Sequence, residues 1–225
     1  MRDAAGDPLA PVAMVLEGYA RNPEGRRRCL EVLGRHGVSL PDTPPMAVQR
    51  GRVDLLEEHL GRDPDLFVRT FAHRDIYPPS LGCHEDASLA LHGTPLDGAT
   101  LLHLCVDCDE IEIARWMLDR GAPADARAAV DAAGFGGHTG LFGCVVSQPA
   151  IVGRQRDGAF ARLLLERGAD PNARASLRKR LRFVPDETEH TYLEVTPLSW
   201  GQRFHGREWV NPAALEMVAA AGGRP

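Results

Sequence analysis

Apolar residues recur at helical spacing between residues 98 and 128, and their pattern predicts two short helices joined by a turn. Thr100 begins the first helix, whose apolar stripe contains Leu101, Leu102, Leu104 and Cys105. After a turn over residues 107–110, a second stripe is formed by Ile111, Ile113, Ala114, Trp116, Met117 and Leu118. Gly121 follows, as glycine commonly does at a helix end. Two helices joined by so short a turn lie antiparallel. The pair is too small to bury both apolar stripes by itself, so it needs similar units packed on both sides.

Similar segments lie on both sides of this unit, at residues 43–66, 138–175 and 195–223. Together they resemble ankyrin repeats, whose units have a period near 33 residues and open on Thr-Pro-Leu-His. The Thr-Pro-Leu opening is intact at residues 196–198, and three other units keep its threonine, at Thr43, Thr100 and Thr139. His103 keeps the family's histidine, which the resemblance implies holds the turn by hydrogen bonding. The resemblance indicates an architecture that acts by binding other molecules.

The threonines that open the units lie 57, 39 and 57 residues apart, so two inserts of about 24 residues interrupt the period. We therefore expect an all-α repeat solenoid, an ankyrin-repeat stack of about five helix-turn-helix units with β-hairpin-like fingers. After a disordered leader at residues 1–9, the predicted domain spans residues 10–225. Its repeats are residues 10–42, 43–67, 98–128, 138–175 and 195–225, and its inserts are residues 68–97 and 176–194. In the first repeat, a capping unit, we expect Arg26, Arg27 and Arg28 on the solvent side.

Both inserts occur where one repeat passes to the next, so they are expected on the same edge of the stack. Residues 176–195 alternate in a β-prone pattern around a turn at Pro185, which predicts a hairpin. With a two-residue loop, Arg182 pairs with Glu189, Leu181 with His190 and Lys179 with Tyr192.

Composition and charge narrow the class of protein. A net charge of -5 and a pI near 6.0 disfavour a general binder of nucleic acid or of membrane surfaces. The sequence shows no membrane span and no basic signal peptide, so the expected location is cytoplasmic. Five cysteines, an odd number in a chain large enough to build a core, disfavour a disulfide framework. Lys179 is the only lysine.

The first insert contains the residues that most suggest enzymatic or metal chemistry. His73, Cys83, His84 and His92 carry nitrogen and sulfur ligands suited to zinc, which makes a small metal-binding protein or enzyme with its site at residues 73–92 the alternative function. Their spacing does not match a paired Cys/His motif. Cys105 and Cys144 occupy a small-residue position of the first helices and are interpreted as small buried hydrophobes. No nucleophile elbow, P-loop or dinucleotide fingerprint occurs.

A basic run in the second insert has two interpretations. Arg174, Arg178, Lys179, Arg180 and Arg182 form it. They bind an acidic partner, or they are solvated and balanced locally by Asp186, Glu187 and Glu189.

The function that these patterns favour is a non-enzymatic protein-protein interaction module without a cofactor. It is expected to bind another protein, acidic in one interpretation, through its concave face and the inter-repeat fingers, with nucleic acid and membrane disfavoured. The predicted partner-binding residues are Tyr77, Asp107, Asp109, Glu110, Arg178, Arg180, Arg182, Tyr192, Gln202, Arg203 and His205.

Overall fold

The computed structural model describes residues 10–18, 22–87, 92–147, 157–181, 185 and 187–225. The predicted leader at residues 1–9 and the predicted contact residue Arg182 lie outside these ranges. The α-helices are α1 Pro11–Leu16, α2 Pro23–Arg35, α3 Pro44–Gln49, α4 Val53–Arg62, α5 His73–Ile76, α6 Leu101–Cys108, α7 Ile111–Asp119, α8 Gly140–Val145, α9 Ala159–Glu166, α10 Pro197–Arg203 and α11 Pro212–Ala220. The strands are β1 Ala175–Lys179 and β2 His190–Val195, and short 3-10 turns cover Pro79–Leu81 and Arg207–Trp209.

Helices pack in pairs, and the pairs pack on one another. The pairs are α1 with α2, α3 with α4, α6 with α7, α8 with α9 and α10 with α11. Helices α3, α6, α8 and α10 also contact each other in succession, and we call them the inner row. The fold is mostly helical, as predicted, with one small two-stranded sheet in the described part of the chain.

Local signals in the sequence set the ends of the helices. The predicted threonines are the N-caps of the inner row: Thr43 of α3, Thr100 of α6, Thr139 of α8 and Thr196 of α10. The Thr196 hydroxyl accepts a hydrogen bond from the Ser199 amide at 3.1 Å, which satisfies one of the free N–H groups at the helix start. Gly121 follows α7 at φ 90°, a left-handed conformation that glycine adopts without strain.

The core lies between the helices of the inner row and their outer partners. Leu101, Leu102 and Leu104 of α6 are essentially inaccessible, as the apolar stripe predicted. Cys105 and Cys144 are buried at matching positions of α6 and α8, and burial raises the pKa of both thiols, which leaves them neutral. The interpretation of both cysteines as small hydrophobes agrees with this placement. None of the helices within the described residues has the length and apolar character needed to cross a membrane.

The second insert forms the predicted hairpin, but in another register. Lys179 pairs with His190 and Leu177 pairs with Tyr192, so the predicted pairing around a two-residue loop is wrong. This register sets the buried Leu177 and Tyr192 side chains opposite each other on the core side, where Tyr192 packs on Trp200 at 4.8 Å between ring centroids. The observed pairing differs from the predicted one by two residues, which keeps every side chain on its predicted face, so the apolar alternation of the strands does not distinguish the two registers.

The first insert is not a second hairpin in its described part. It contains α5 and the 3-10 turn at Pro79–Leu81, and its ends are joined by a single antiparallel bridge between Phe71 and Ala99. Helix α5 packs against α3 of the inner row.

The prediction that three arginines of α2 face solvent is wrong for one of them. Arg26 is buried, and its guanidinium binds Glu110 Oε1 at 2.7 Å and the Cys108 carbonyl oxygen at 3.1 Å. Arg27 binds the other oxygen of Glu110, whereas Arg28 is exposed. Glu110 precedes α7, so these ion pairs tie α2 to the helix pair α6–α7.

Candidate functional site

The last part of the first insert crosses the inner row of helices. We call residues 92–97 the strap. Thr94 is buried there; its hydroxyl lies 2.8 Å from the Val146 carbonyl oxygen and 3.1 Å from that of Phe142, and it accepts a hydrogen bond from Trp200 Nε1 at 3.2 Å. Since Val146 follows α8 and Trp200 lies in α10, the strap joins two inner helices.

Two neutral histidines connect the strap to α6. His103 Nε2 donates to the His138 carbonyl oxygen at 3.0 Å, and His103 Nδ1 lies 2.8 Å from the Thr100 hydroxyl. His138 Nε2 in turn donates to the Pro95 carbonyl oxygen at 3.0 Å. Burial lowers the pKa of His103 to about 4 and that of His138 to about 3, so each ring is neutral near pH 7. His103 makes the hydrogen bonds that the family resemblance implied.

A hydrogen bond between side chains fixes the other end of the strap. His92 Nδ1 lies 3.1 Å from Asp107 Oδ2, and both side chains are only 8% exposed. The ring of His92 also stacks on Tyr77, which is itself buried. The expectation that Asp107 and Tyr77 present their side chains to a partner is therefore corrected, because the protein's own first insert covers them.

The strap and the hairpin enclose a cleft. It is lined on one side by Arg178, Lys179, Arg180 and Glu189 of the hairpin, and on the other by His73, Ala87, His92, Pro95, Leu96 and Asp97 of the first insert. Its volume is about 280 Å³. Residues of both inserts line it, so the two inserts lie beside each other here.

Lys179 is the notable residue of this cleft. It is 8% exposed and lies on the same face of β1 as the buried Leu177. Burial lowers its pKa from the ordinary value of 10.5 to about 8, although the charge of Asp107 acts in the opposite direction. The sequence placed Lys179 in a basic run that either binds an acidic partner or is solvated, and neither interpretation predicts that it is buried. The available signal was its alternation with Leu177 and Leu181, both of which are buried.

The remaining predicted contact residues differ in accessibility. Gln202 and Arg203 at the end of α10 are exposed, and so is Arg178, which pairs with Asp131 at 2.8 Å. Asp109, Arg180 and His205 are half-buried.

Two of the predicted contact residues are buried, and the expectation for them is corrected. Glu110 is held by Arg26 and Arg27 and has no exposed side-chain surface. Tyr192 packs beneath the hairpin, where its hydroxyl lies 2.8 Å from His205 Nδ1.

The candidate metal ligands of the first insert do not converge. His73 Nε2 donates to the backbone carbonyl of His84 at 3.0 Å, and His84 Nδ1 lies 3.1 Å from Glu17. Cys83 is buried, and burial raises the pKa of its thiol to about 12. No group of three or more metal-ligating side chains occurs within the described ranges. The geometry gives no support to a metal site at residues 73–92.

Replacing Thr94 with valine tests how firmly the strap is held. The change preserves the shape of the side chain but leaves Trp200 Nε1 without its acceptor and Val146 without the hydroxyl donor. We expect a loss of roughly 1–3 kcal/mol in the free energy of unfolding, measured by urea denaturation. Thr191→Val on the exposed face of β2 is the matched control and should have little effect. Equal stability of the two variants would show that the strap hydrogen bonds contribute nothing.

Comparisons with known proteins identify the repeat. The ankyrin repeat family model matches residues 97–129, and no curated protein matches the chain. Among solved structures, the chain is similar to an ankyrin repeat domain from Acinetobacter baumannii AYE, with 17% sequence identity and a TM-score of 0.42. That similarity covers 100% of this chain and 86% of the other. The matched residues comprise the unit with the clearest sequence pattern, α6 and α7. The chain therefore contains an ankyrin repeat, at residues 97–129.

Proposed function

We propose that this protein is a non-enzymatic interaction module that binds another protein along the edge formed by the hairpin and the end of α10. Ankyrin repeats generally act in this way, by presenting a preformed surface that loses little entropy on association. In this proposal, five helix pairs, α1–α2, α3–α4, α6–α7, α8–α9 and α10–α11, are the repeats of one stack. All five cysteines are free, which supports a reducing compartment such as the cytoplasm.

The location of the proposed surface follows from what the strap covers. An ankyrin stack ordinarily binds through its concave face, but here the strap lies against α6, α8 and α10 and buries Asp107. The predicted contact residues that keep exposed or half-exposed side chains beside the hairpin are Arg178, Arg180, Gln202, Arg203 and His205. The proposal rests on this observation, that the accessible members of the predicted contact set lie together beside the hairpin.

The charge of this edge favours an acidic partner. Arg178, Arg180 and Arg203 contribute three guanidinium groups, of which Arg178 is balanced by Asp131. Charges at the rim of an interface act mainly on the association rate and on its salt dependence. We therefore expect the partner to associate faster at low ionic strength.

Charge reversal on this edge tests the proposal. Arg180→Glu combined with Arg203→Glu should reduce capture of the partner from a lysate of the source organism. The dissociation constant of the recovered partner should rise roughly tenfold, because two attractive rim contacts become repulsive. Arg115→Glu on α7, where the half-exposed side chain pairs with Glu112, is the matched control. The proposal is wrong if the edge variant and the control bind the recovered partner equally well.

A further inference from the structure

We propose that the outer edge of β2 binds an extended segment of the partner protein, which pairs with it as an additional strand and carries acidic side chains. The inference rests on the proposed function, since it names how a partner contacts the edge formed by the hairpin and the end of α10. Backbone groups of β2 supply the main contact, and Arg203 favours acidic side chains.

The backbone of the hairpin sets the direction of its hydrogen-bonding groups. The Gly136 N–H donates to the Ser176 carbonyl oxygen at 2.8 Å, so Ser176 directs its backbone groups away from β2. Successive residues of a strand direct these groups to opposite sides. Leu177, which is paired with Tyr192, therefore directs its own toward β2. Leu177 and Tyr192 are thus a hydrogen-bonded pair of the ladder.

The neighbours of Tyr192 consequently direct their backbone groups to the outer side of β2. They are Thr191 and Leu193, and each has one N–H donor and one C=O acceptor. Within the described ranges, neither residue makes a hydrogen bond on that side. Both side chains are exposed, that of Leu193 by 61%. β2 therefore has an open edge, which is a template for another strand.

A β-bulge defines the length of this edge and places one carboxylate away from it. The register shift leaves Leu193 and Glu194 opposite the single residue Ser176, and Glu194 has a φ of 48°. Ser176 Oγ donates to Glu194 Oε1 at 3.2 Å, so this carboxylate lies toward β1 and not at the outer edge. Regular pairing is thus open to a partner along residues 190–193.

The other edge of the hairpin already holds an extended segment. Residues 129–137 form a short loop that is bridged to β1 through Gly136 and Ser176, and within the loop Val130 is bridged to Gly136. One edge of the hairpin thus accommodates an added strand from this chain. The edge of β2 offers the same kind of backbone groups to a strand from a partner.

The charge beside the open edge determines which side chains the added strand carries. Arg203 ends α10 and is exposed, and its Cζ atom lies 5.9 Å from the centroid of the Tyr192 ring. In the part of the chain that the structure describes, Arg203 pairs with no carboxylate. Glu189, just before β2, lines the cleft toward the strap.

An added strand lies about 4.8 Å from β2, and its side chains alternate between the two faces of the sheet. Those on the face of Tyr192 come within reach of the Arg203 guanidinium, where a carboxylate forms a charge-assisted hydrogen bond. Those on the other face contact the exposed Leu193 side chain. We therefore expect a segment in which acidic and apolar residues alternate.

A synthetic peptide of about eight residues, in which glutamate alternates with valine, tests the proposal. We expect saturable binding, measured by fluorescence polarisation, with a dissociation constant of roughly 0.1–1 mM. Thr191→Pro should weaken binding by about tenfold or more, because proline removes an outward N–H and leaves the ladder between β1 and β2 intact. Thr191→Val keeps the N–H and should bind the peptide as the wild type does.

A second pair of peptides leaves the protein unchanged, so its result does not depend on how a variant folds. N-methylation at alternate residues along one edge of the peptide should abolish binding, whereas N-methylation along the other edge should not. Replacing the glutamates with lysine should weaken binding by about tenfold, and Arg203→Gln should remove most of that difference.

Amide hydrogen exchange locates the bound peptide. In the free protein the amides of Thr191 and Leu193 should exchange faster than that of Tyr192, which pairs with β1. The peptide should slow exchange at Thr191 and Leu193. Slow exchange that grows with protein concentration in the absence of peptide would indicate pairing between two copies of this chain, and it would overturn the assignment to a partner.

The partner recovered from lysate separates this inference from the proposed function. If Arg180→Glu with Arg203→Glu weakens its binding but Thr191→Pro does not, the edge is the contact surface and no strand is added, so the inference is overturned alone. If neither change weakens binding, the proposed function fails as well. Equal binding of the peptide by Thr191→Pro and Thr191→Val would also overturn strand addition.

Discussion

Replacing Glu110 with alanine is expected to lower the free energy of unfolding by about 3–5 kcal/mol. The carboxylate has no exposed side-chain surface and binds both Arg26 and Arg27. Its removal leaves the Arg26 guanidinium buried with carbonyl oxygens as its remaining partners. Breaking one half of a buried ion pair is much more destabilising than removing the pair, because the remaining charge stays desolvated. For a chain of this size the midpoint of thermal unfolding should fall by roughly 10 °C.

Two companion variants separate this explanation from a general effect of mutating α7. Glu112→Ala removes an exposed carboxylate from the first turn of the same helix and should change stability by no more than about 0.5 kcal/mol. Adding Arg26→Met to Glu110→Ala should recover most of the loss, since the buried charge is then gone. A double variant as unstable as the single one would refute the explanation.

Replacing Lys179 with methionine is expected to stabilise the protein by roughly 3 kcal/mol near pH 7. The pKa of Lys179 falls from 10.5 in an unfolded chain to about 8 in the folded one. Below pH 8 the lysine is charged in both states, so the folded protein carries the whole desolvation penalty. Methionine fills a similar volume without a charge.

The lowered pKa of Lys179 also predicts the direction in which the free energy of unfolding changes with pH. Between about pH 8 and 10.5 the unfolded chain still binds the proton that the folded chain has released, so wild-type stability rises with pH relative to Lys179→Met. Above pH 10.5 the lysine is neutral in both the folded and the unfolded chain, so its ionisation no longer contributes to the difference in the free energy of unfolding between wild type and Lys179→Met. Arg178→Met on the opposite face of β1 is the control, and its difference from wild type should stay constant over this range because arginine remains protonated. A constant difference for Lys179→Met would contradict the assigned pKa.

The features that the sequence predicts well are those that depend on near neighbours. The N-cap threonines, the apolar stripe of α6 and the glycine after α7 each act within one or two helical turns, so their patterns are visible in short windows. The existence of the hairpin was predicted for the same reason. Its register was not, because a slip of two residues leaves the alternation of Leu177 and Lys179 unchanged.

The features that the sequence misses depend on distant partners. Glu110 follows a turn and looks exposed, yet its partner Arg26 lies 84 residues earlier. Tyr77 and Tyr192 look like aromatic anchors, but His92 and Trp200 respectively cover them. The strap contains Gly93, Thr94 and Pro95, a composition typical of an exposed loop. Thr94 is nevertheless buried, and its hydrogen-bond partners lie 48 to 106 positions away in the sequence.

The strap also changes how the chain is expected to fold. In a simple repeat array each unit contacts only its neighbours, so folding can start anywhere and terminal units can fray separately. The hydrogen bond from Trp200 to Thr94 spans 106 residues, and the ion pair between Arg26 and Glu110 joins the first helix pair to the third. Such long-range closures slow folding, because loop entropy is lost before they form. We expect them also to couple the two ends of the molecule into one cooperative unfolding transition, so that deletion of α10 and α11 would remove the Trp200 donor that holds Thr94 of the first insert.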